Sequence, residues 1–415
     1  MSPAVGAVRR RPSLRLVWML PAGLSLLAGL DAALLLLGLP APVTTRRLPE
    51  THGMLLVVGF VGTLIALERA TALRRWYGYA APGLLGLGGV LLVADPVPLI
   101  VAKWILAAGA AAFTALYIPL WRRRYDAQLL VQLLAAGFAL AACVLWIGGV
   151  EFPRLLPWLY AFIVLTIAAE RVELALTLGP GAGRRILVHA WTVAGALLVG
   201  LADARLGAIA LGAALLALTA WLVRHDVARR TIRARGATRY MAACMLGGYV
   251  WLALASTLLL LSGPSGFPVA QPAYDAVTHA ILLGFTMSMI MAHATTILPA
   301  ILHISLPYRP VFWVPAALLH TSLVVRIWLG DGLGLQWAFV WGGALGVAAL
   351  VLFLLTAVGS AIAGPPKPRA RGGAGQDHGP GAPGDPAGPG DANSTGDPAG
   401  SSAAAGSAAE GADRA

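Results

Sequence analysis

The sequence predicts an all-α, polytopic membrane protein with about twelve transmembrane helices. Of the 415 residues, 58% are hydrophobic and only 12% are charged, and the mean hydropathy is +0.77. Soluble domains carry roughly 25% charged residues. Apolar runs of about 20 residues, the length that crosses a bilayer, recur along most of the chain. These observations exclude a soluble catalytic domain.

Twelve spans are predicted, with ends defined to within a few residues. They cover residues 16–40, 49–68, 77–95, 97–120, 126–149, 154–178, 184–202, 204–223, 238–261, 271–297, 310–330 and 335–363. The chain then has three parts: a basic N-terminus (1–15), the membrane domain (16–363) and a tail (364–415). The tail is dominated by Gly, Ala, Pro, Ser and Asp, which cannot bury enough apolar surface to fold, so we expect it to be disordered.

The basic residues separate the two sides of the membrane. Most of the 30 Lys and Arg residues lie at the N-terminus, in the loops after even-numbered spans, or just after span 12. The opposite side has five: Arg46, Arg47, Arg154, Arg205 and Arg326. The positive-inside rule therefore predicts a plasma-membrane protein with both termini in the cytoplasm. Basic loops that face anionic lipid account for the net charge of +12, so no nucleic-acid partner is implied.

The first span and the two cysteines have simple interpretations. Span 1 is too long for the apolar region of a cleavable signal peptide, so we interpret it as a signal anchor. Cys143 and Cys244 are predicted at different depths, which argues against a disulfide between them. We expect both to be inert packing residues.

Two pairs of short segments repeat within the chain. Spans 2 and 10 both open with Thr-His, at His52 and His279, and both continue through an apolar run to Gly-Phe. Spans 2 and 6 both end with Ile-Ala-x-Glu-Arg, at residues 65–69 and 167–171. Because spans 2, 6 and 10 are four apart, the matches favour three four-helix blocks, or arcs. The competing explanation is chance similarity between short apolar segments.

The two Glu-Arg pairs, Glu68-Arg69 and Glu170-Arg171, lie where their spans reach the cytoplasmic interface. Long charged side chains extend to such an interface and pair there at low cost. Glu173 fits the same interpretation. A proton-entry role for Glu170 and Glu173 is the functional alternative.

His52 and His279 are the strongest functional candidates, because an ionisable group inside a membrane span is costly and usually functional. Both lie near the outer ends of inward-running spans, at depths of about 5 and 12 Å from the helix rise per residue. Two imidazoles at similar depth on different helices are suited to hold a planar metal cofactor from both faces. The alternative is that His52 caps an interface and His279 hydrogen-bonds a neighbouring helix.

Span 10 is the most polar predicted helix. Asp275, His279, Thr286 and His293 are spaced four, seven and seven residues apart, which places them on one helical face. Such a face is expected to point into the bundle or toward a cofactor rather than to lipid. Asp275, one turn before His279, is positioned to accept the second N–H of its ring, as partners of metal-bound histidines do.

Further polar groups lie in or near the spans. Arg326 is the best-placed cation for the acidic groups of an outer-leaflet cofactor, and its alternative partner is Asp331 at the interface. Asp31 in span 1 lies at a similar depth and needs a partner. Three other histidines have less support as metal ligands: His293, His303 and His320. We expect these three to be buried and hydrogen-bonded, with a second metal site, such as copper, built from two of them as the alternative.

The motifs carry a resemblance to known membrane heme proteins. The opening of span 2 resembles helix 2 of heme-copper oxidase subunit I, which holds a low-spin heme ligand, and His279 resembles the second ligand. The sequence is more similar to the NnrS family, twelve-span heme proteins associated with nitric-oxide stress. That family's His-(Glu)-Met-Leu-x-Gly-(Phe/Tyr) pattern resembles residues 52–60, and its His-Ala-x-x-x-Gly segment resembles residues 279–284. The histidine beyond that segment resembles His303 in position.

The resemblance covers spans 2, 10 and 11, and important features are missing. Oxidase catalysis needs copper ligands on helices 6 and 7, but span 6 has no histidine and span 7 has only His189, at its edge. Span 10 also lacks the His-x-His that would serve a second heme. The resemblance therefore implies one heme with two histidine ligands, which suits electron transfer or sensing better than oxygen activation.

The leading hypothesis is a membrane heme b protein with His52 and His279 as axial ligands and Arg326 as a propionate partner. It would act in electron transfer with an unidentified redox partner, or in the response to nitric-oxide stress. A lesser alternative is a gas reductase with relocated metal ligands. The main alternative, from another functional class, is a proton-coupled secondary transporter. It would use intramembrane carboxylates and histidines: Glu68, Glu170, His279 and His293.

Overall fold

The structure is a computed structural model that describes residues 15–174, 181–261 and 271–365. Within these ranges all regular structure is helical, and there is no β-strand. The predicted basic N-terminus (1–15) and tail (364–415) lie almost entirely outside the described residues.

Within the described ranges, twelve helices are long and apolar enough to cross a membrane. They are α1 (Val17–Leu36), α2 (Arg47–Leu73), α3 (Trp76–Val93), α4 (Leu99–Arg124), α5 (Ala127–Ile147), α6 (Phe152–Glu173), α7 (Ala182–Ala202), α8 (Ala204–His225), α9 (Gly236–Leu261), α10 (Pro272–Leu302), α11 (Pro310–Gly332) and α12 (Gln336–Ala363). Each corresponds to a predicted span, and the ends differ by only a few residues. The predicted fold class is therefore confirmed.

Helices α2, α6 and α10 form the centre of the bundle. In the apolar window of α2 and of α6, 67% of the residues are buried, and in α10 56%, whereas each other described span has half or less buried. Arg69 of α2 reaches Glu170 of α6. The hydroxyls of Tyr160 in α6 and Thr278 in α10 lie 2.8 Å apart. The three helices related by the sequence repeats thus share the central position.

The other nine spans surround this centre in three groups of three. Consecutive helices pack side by side, and α12 packs against α1, which closes the ring. Helices α3–α5 connect α2 to α6, and α7–α9 connect α6 to α10. Helices α11, α12 and α1 then complete the ring from α10 back to α2. The three blocks of four helices stay an interpretation of the sequence repeats.

Small residues allow the helices to approach closely, as is common where lipid surrounds a bundle. Gly207 at the start of α8 packs against the backbone of Gly200 in α7, so no side chain fits between them.

The two cysteines also serve packing. Cys143 in α5 and Cys244 in α9 are buried and form no disulfide, as predicted.

Three helices contain a π-helical segment in the part of the chain that the structure describes. The segments are Leu55–Gly62 in α2, Ala280–Phe285 in α10 and Val324–Gly332 in α11. In a π-helix each N–H bonds to the carbonyl five residues earlier. Such segments are rare in proteins overall, and those that occur are often at functional sites. We call the end of the bundle where α2 begins, at Arg47, the histidine end. The opposite end, where α2 stops at Leu73, is the basic end.

Candidate functional site

A cavity of about 540 Å³ lies inside the bundle toward the histidine end. Most of its wall consists of apolar side chains from α1, α2, α10, α11 and α12. Its polar lining includes His52, Asp275, His279 and Arg326. Binding sites for cofactors and small molecules typically have volumes of roughly 300–1,000 Å³, and they combine apolar walls with few polar groups.

His52 is held by the first turns of α2. Arg47 donates from one Nη1 to the carbonyls of Ala94 and Val97, each at 2.7 Å, which anchors the start of α2 beside the α3–α4 connection. Nδ1 of His52 lies 2.8 Å from the carbonyl oxygen of Gly29 in α1. Because a carbonyl only accepts, Nδ1 carries the proton, and Nε2 of the neutral ring keeps its lone pair.

His279, in α10, is oriented in the same way as His52, by acceptors near its Nδ1. Its Nδ1 lies 3.0 Å from the carbonyl oxygen of Asp275 and 3.3 Å from Oδ1 of the same residue. Both atoms are acceptors, so in the neutral form of the ring the proton is on Nδ1 and the lone pair on Nε2. The predicted contact between Asp275 and His279 is therefore present.

Asp275 also binds Arg326 through two parallel hydrogen bonds. Nε and Nη2 of Arg326 donate to the two carboxylate oxygens, each at 2.8 Å. The guanidinium carbon lies 4.2 Å from the ring centre of Phe339 in α12. The carboxylate thus connects the His279 ring to a buried cation at the cavity wall. This ion pair replaces the alternative that paired Arg326 with Asp331.

The two histidines present the same atom to the same cavity. Among the described residues, Nε2 of His52 and Nε2 of His279 have no hydrogen-bond partner, although each Nδ1 has one. Both rings line the cavity, and His52 lies within electrostatic reach of His279, Asp275 and Arg326. The sequence-predicted pair is therefore brought together with its lone pairs available.

The chain matches the family model described as "Domain of unknown function (DUF8744)" over residues 15–362. It belongs to this family. The matched region covers the twelve helices except for the last residue of α12. Comparisons with curated proteins and with solved structures found no match.

The other candidate histidines of this DUF8744 chain do not join the cavity. His293 has both ring nitrogens engaged, with Nδ1 2.8 Å from the Met289 carbonyl and Nε2 3.0 Å from Nη1 of Arg171. Nδ1 of His320 accepts a hydrogen bond from Trp251 at 2.8 Å. These two are partly buried and hydrogen-bonded, close to the expectation.

His303 departs from the expectation. It is exposed and ends α10 in a left-handed conformation, with φ of 56°. Within the described ranges, no group of three or more His, Cys, Asp or Glu side chains is arranged to hold a metal ion. The alternative of a second metal site built from two of the histidines His293, His303 and His320 stays a prediction.

The arginines of the two Glu-Arg motifs have different ion-pair partners from those expected. Arg69 pairs with Glu68 and also reaches Glu170, whereas Arg171 pairs with Asp226 through bonds of 3.1 and 3.2 Å. Both arginines are 7% exposed and lie buried against these partners. Asp226 was missed because it lies near the start of the basic stretch 224–239, which is typical of a solvated loop.

The partner expected for Asp31 is a backbone group. The amide of Val43, in the α1–α2 connection, donates to its two carboxylate oxygens at 3.3 and 3.2 Å. The sequence also missed Gly29, whose carbonyl orients His52, because any residue supplies a carbonyl. Three glycines of α12 also line the cavity: Gly342, Gly343 and Gly346. Their spacing of one and four residues places small side chains on one helical face, and this pattern is visible in the sequence.

Proposed function

We propose that this protein is an integral membrane heme-binding protein in which His52 and His279 are the axial ligands of one heme b. The observation that carries the proposal is the pair of unpartnered Nε2 atoms facing one cavity. A metal-bound histidine typically donates its other ring N–H to a carbonyl or carboxylate, which fixes the ring and raises its basicity. Both rings have that arrangement, through Gly29 and Asp275.

The surroundings fit a heme in two further respects. Apolar walls suit a macrocycle, and the buried guanidinium of Arg326 offers a positive charge to the cofactor's acidic groups. Heme with two histidine ligands supplies a one-electron couple whose potential depends on those ligands and their hydrogen bonds. The residues of this chain would orient the two rings, exclude water and hold the cation in place.

We assign the role to electron transfer or to a response to nitric-oxide stress. The copper ligands that the heme-copper resemblance would require are missing from the sequence, since span 6 has no histidine and span 7 has only His189 at its edge. The proposal is therefore for a single heme and not for a complete oxidase or nitric-oxide reductase. The redox partner is a protein or small carrier that the chain itself does not identify.

The proposed setting is the plasma membrane, with both termini in the cytoplasm and the lipid bilayer as the surrounding partner. The arginines of the loops at the basic end support this orientation by the positive-inside rule. The histidine end, with the cavity, would then face the outer half of the membrane.

The transporter alternative has weaker support from the contacts. Glu68 and Glu170 are paired with Arg69 at the basic end, and His293 is bonded to Arg171. His279 lies in the cavity toward the other end. The four residues therefore do not line one common path, as a proton-coupled transport route requires.

The test is the absorption spectrum of the full-length protein, purified from cells supplied with heme. We expect a Soret band, a sharp α-band on reduction and one heme per chain. His52→Ala and His279→Ala should each lose the six-coordinate spectrum. The matched control is His320→Ala, because that histidine is bonded to Trp251 and should leave the spectrum unchanged.

Two results would reject the proposal. One is a folded wild-type protein that binds no heme and is colourless, which would favour the transporter. The other is a six-coordinate spectrum that survives in both His52→Ala and His279→Ala. Folding of every variant is checked by its elution as a monodisperse species and by its helical circular dichroism.

A further inference from the structure

A second polar centre lies at the basic end, far along α2 from the cavity. Nη2 of Arg69 lies 2.8 Å from Glu68 and 3.4 Å from Glu170, and Nη1 lies 3.2 Å from Glu173. One buried guanidinium thus contacts three carboxylates. We call these four residues the Arg69 cluster.

The charges around the Arg69 cluster do not balance. Arg124 approaches Glu173 at 3.6 Å, but it is 61% exposed and already pairs with Asp126 at 2.8 Å. Arg171, next to Glu170 in the chain, is taken by Asp226. The three carboxylates therefore share one dedicated cation. Carboxylates that share a site cannot all ionise easily, so one of them tends to keep a proton.

Unpartnered donors point into the same region. Among the described residues, Nε of Arg69, Nε2 of Gln132 and the hydroxyl of Tyr117 are buried and have no hydrogen-bond partner. Gln132 accepts from Arg69 through its other amide atom at 3.4 Å, and Tyr117 lies within electrostatic reach of Arg69 and all three glutamates. Gln132 and Tyr117 are both 0% exposed. Buried donors of this kind are usually satisfied by ordered water.

We propose that the Arg69 cluster binds one exchangeable proton, shared among the carboxylates of Glu68, Glu170 and Glu173 and supported by ordered water. The proton comes from a hydronium ion in the aqueous phase at the basic end. One carboxylate oxygen gains an O–H bond, and a water molecule is released. The proton enters from the more exposed carboxylates, because the side chains of Glu173 and Glu68 are 26% and 24% exposed whereas that of Glu170 is 18% exposed. The site needs neither His52 nor His279 and is independent of heme binding.

The test is infrared absorption of the full-length protein at neutral pH in micelles of a detergent that has no ester or carboxyl group. A protonated carboxyl group gives a carbonyl stretching band that carboxylates lack and that shifts to lower frequency in D₂O. We expect this band in the wild type, and its loss in Glu170→Gln, Glu68→Gln or Glu173→Gln. The matched control is Glu151→Gln, an exposed glutamate just before α6 at the histidine end, which should keep the band.

The outcomes separate this proposal from the heme proposal. His52→Ala should keep the infrared band, and the three glutamine variants should keep the heme spectrum. A wild type without the band at neutral pH overturns the proton site. A band that persists in all three glutamine variants also overturns it. Should Glu170→Gln fail to fold, the more exposed Glu173→Gln decides the question.

Discussion

Replacing Asp275 with alanine should lower the free energy of unfolding by about 3 kcal/mol. The change removes two charge-assisted hydrogen bonds of 2.8 Å and leaves the Arg326 guanidinium, whose side chain is 9% exposed, without its counterion. Breaking a buried ion pair by removing one partner costs about 3–5 kcal/mol. The remaining contact with the Phe339 ring retains roughly 0.5–2 kcal/mol for the cation, so the lower part of that range applies.

The measurement is unfolding of the purified protein by SDS in mixed micelles, followed by tryptophan fluorescence. The matched control is Glu50→Ala, because Glu50 also lines the cavity but is exposed and has no ion pair among the described residues. It should change the free energy of unfolding by no more than about 0.5 kcal/mol. A double-mutant cycle with Arg326→Met should give a coupling of about 1–3 kcal/mol between Asp275 and Arg326. If Asp275→Ala behaves like Glu50→Ala, or the cycle is additive, the ion pair does not stabilise the bundle.

Two further changes probe the packing away from the cavity. Asp226→Ala should lower the free energy of unfolding by about 3–5 kcal/mol in the same assay, since Asp226 accepts from both Arg171 and the Tyr249 hydroxyl, the latter at 2.7 Å; wild-type stability would contradict a structural role for this pair. Gly207→Leu should cost at least about 1–3 kcal/mol because its side chain meets the α7 backbone, whereas Gly195→Leu, which faces open space, should be tolerated. Equal effects of the two leucines would contradict the close contact.

The fold was largely predictable because hydropathy reports directly on lipid contact. An apolar run of about 20 residues has one stable conformation in a bilayer, since only a helix satisfies its own backbone hydrogen bonds. The sequence repeats also indicated which helices share a position, and α2, α6 and α10 are indeed central. The π-helical segments were not predictable, because the apolar runs that contain them give no periodic signal for one extra residue in a turn.

The sequence indicated which residues form the candidate site, but it indicated fewer of the contacts between them. His52 and His279 stood out because each is costly within an apolar helix, and the spacing of Asp275 before His279 indicated their contact. The partner of Arg326 was not settled by sequence, because Asp275 and Asp331 both lie at its depth. Contacts between distant helices depend on helix rotation, which hydropathy does not encode. The same reason explains why Arg171 was expected to pair locally and instead contacts Asp226.

The π-helical segment of α2 separates His52 from Arg69, so it sets the rotational phase between the two ends of that helix. Each residue advances an α-helix by about 100°, and the wider π turns change the accumulated angle. An uninterrupted α2 of the same sequence that kept His52 toward Gly29 would turn Arg69 away from Glu170. The wide turns thus allow one rigid helix to direct its two polar ends toward different neighbours. The same holds for α10, where the segment at 280–285 lies between His279 and His293.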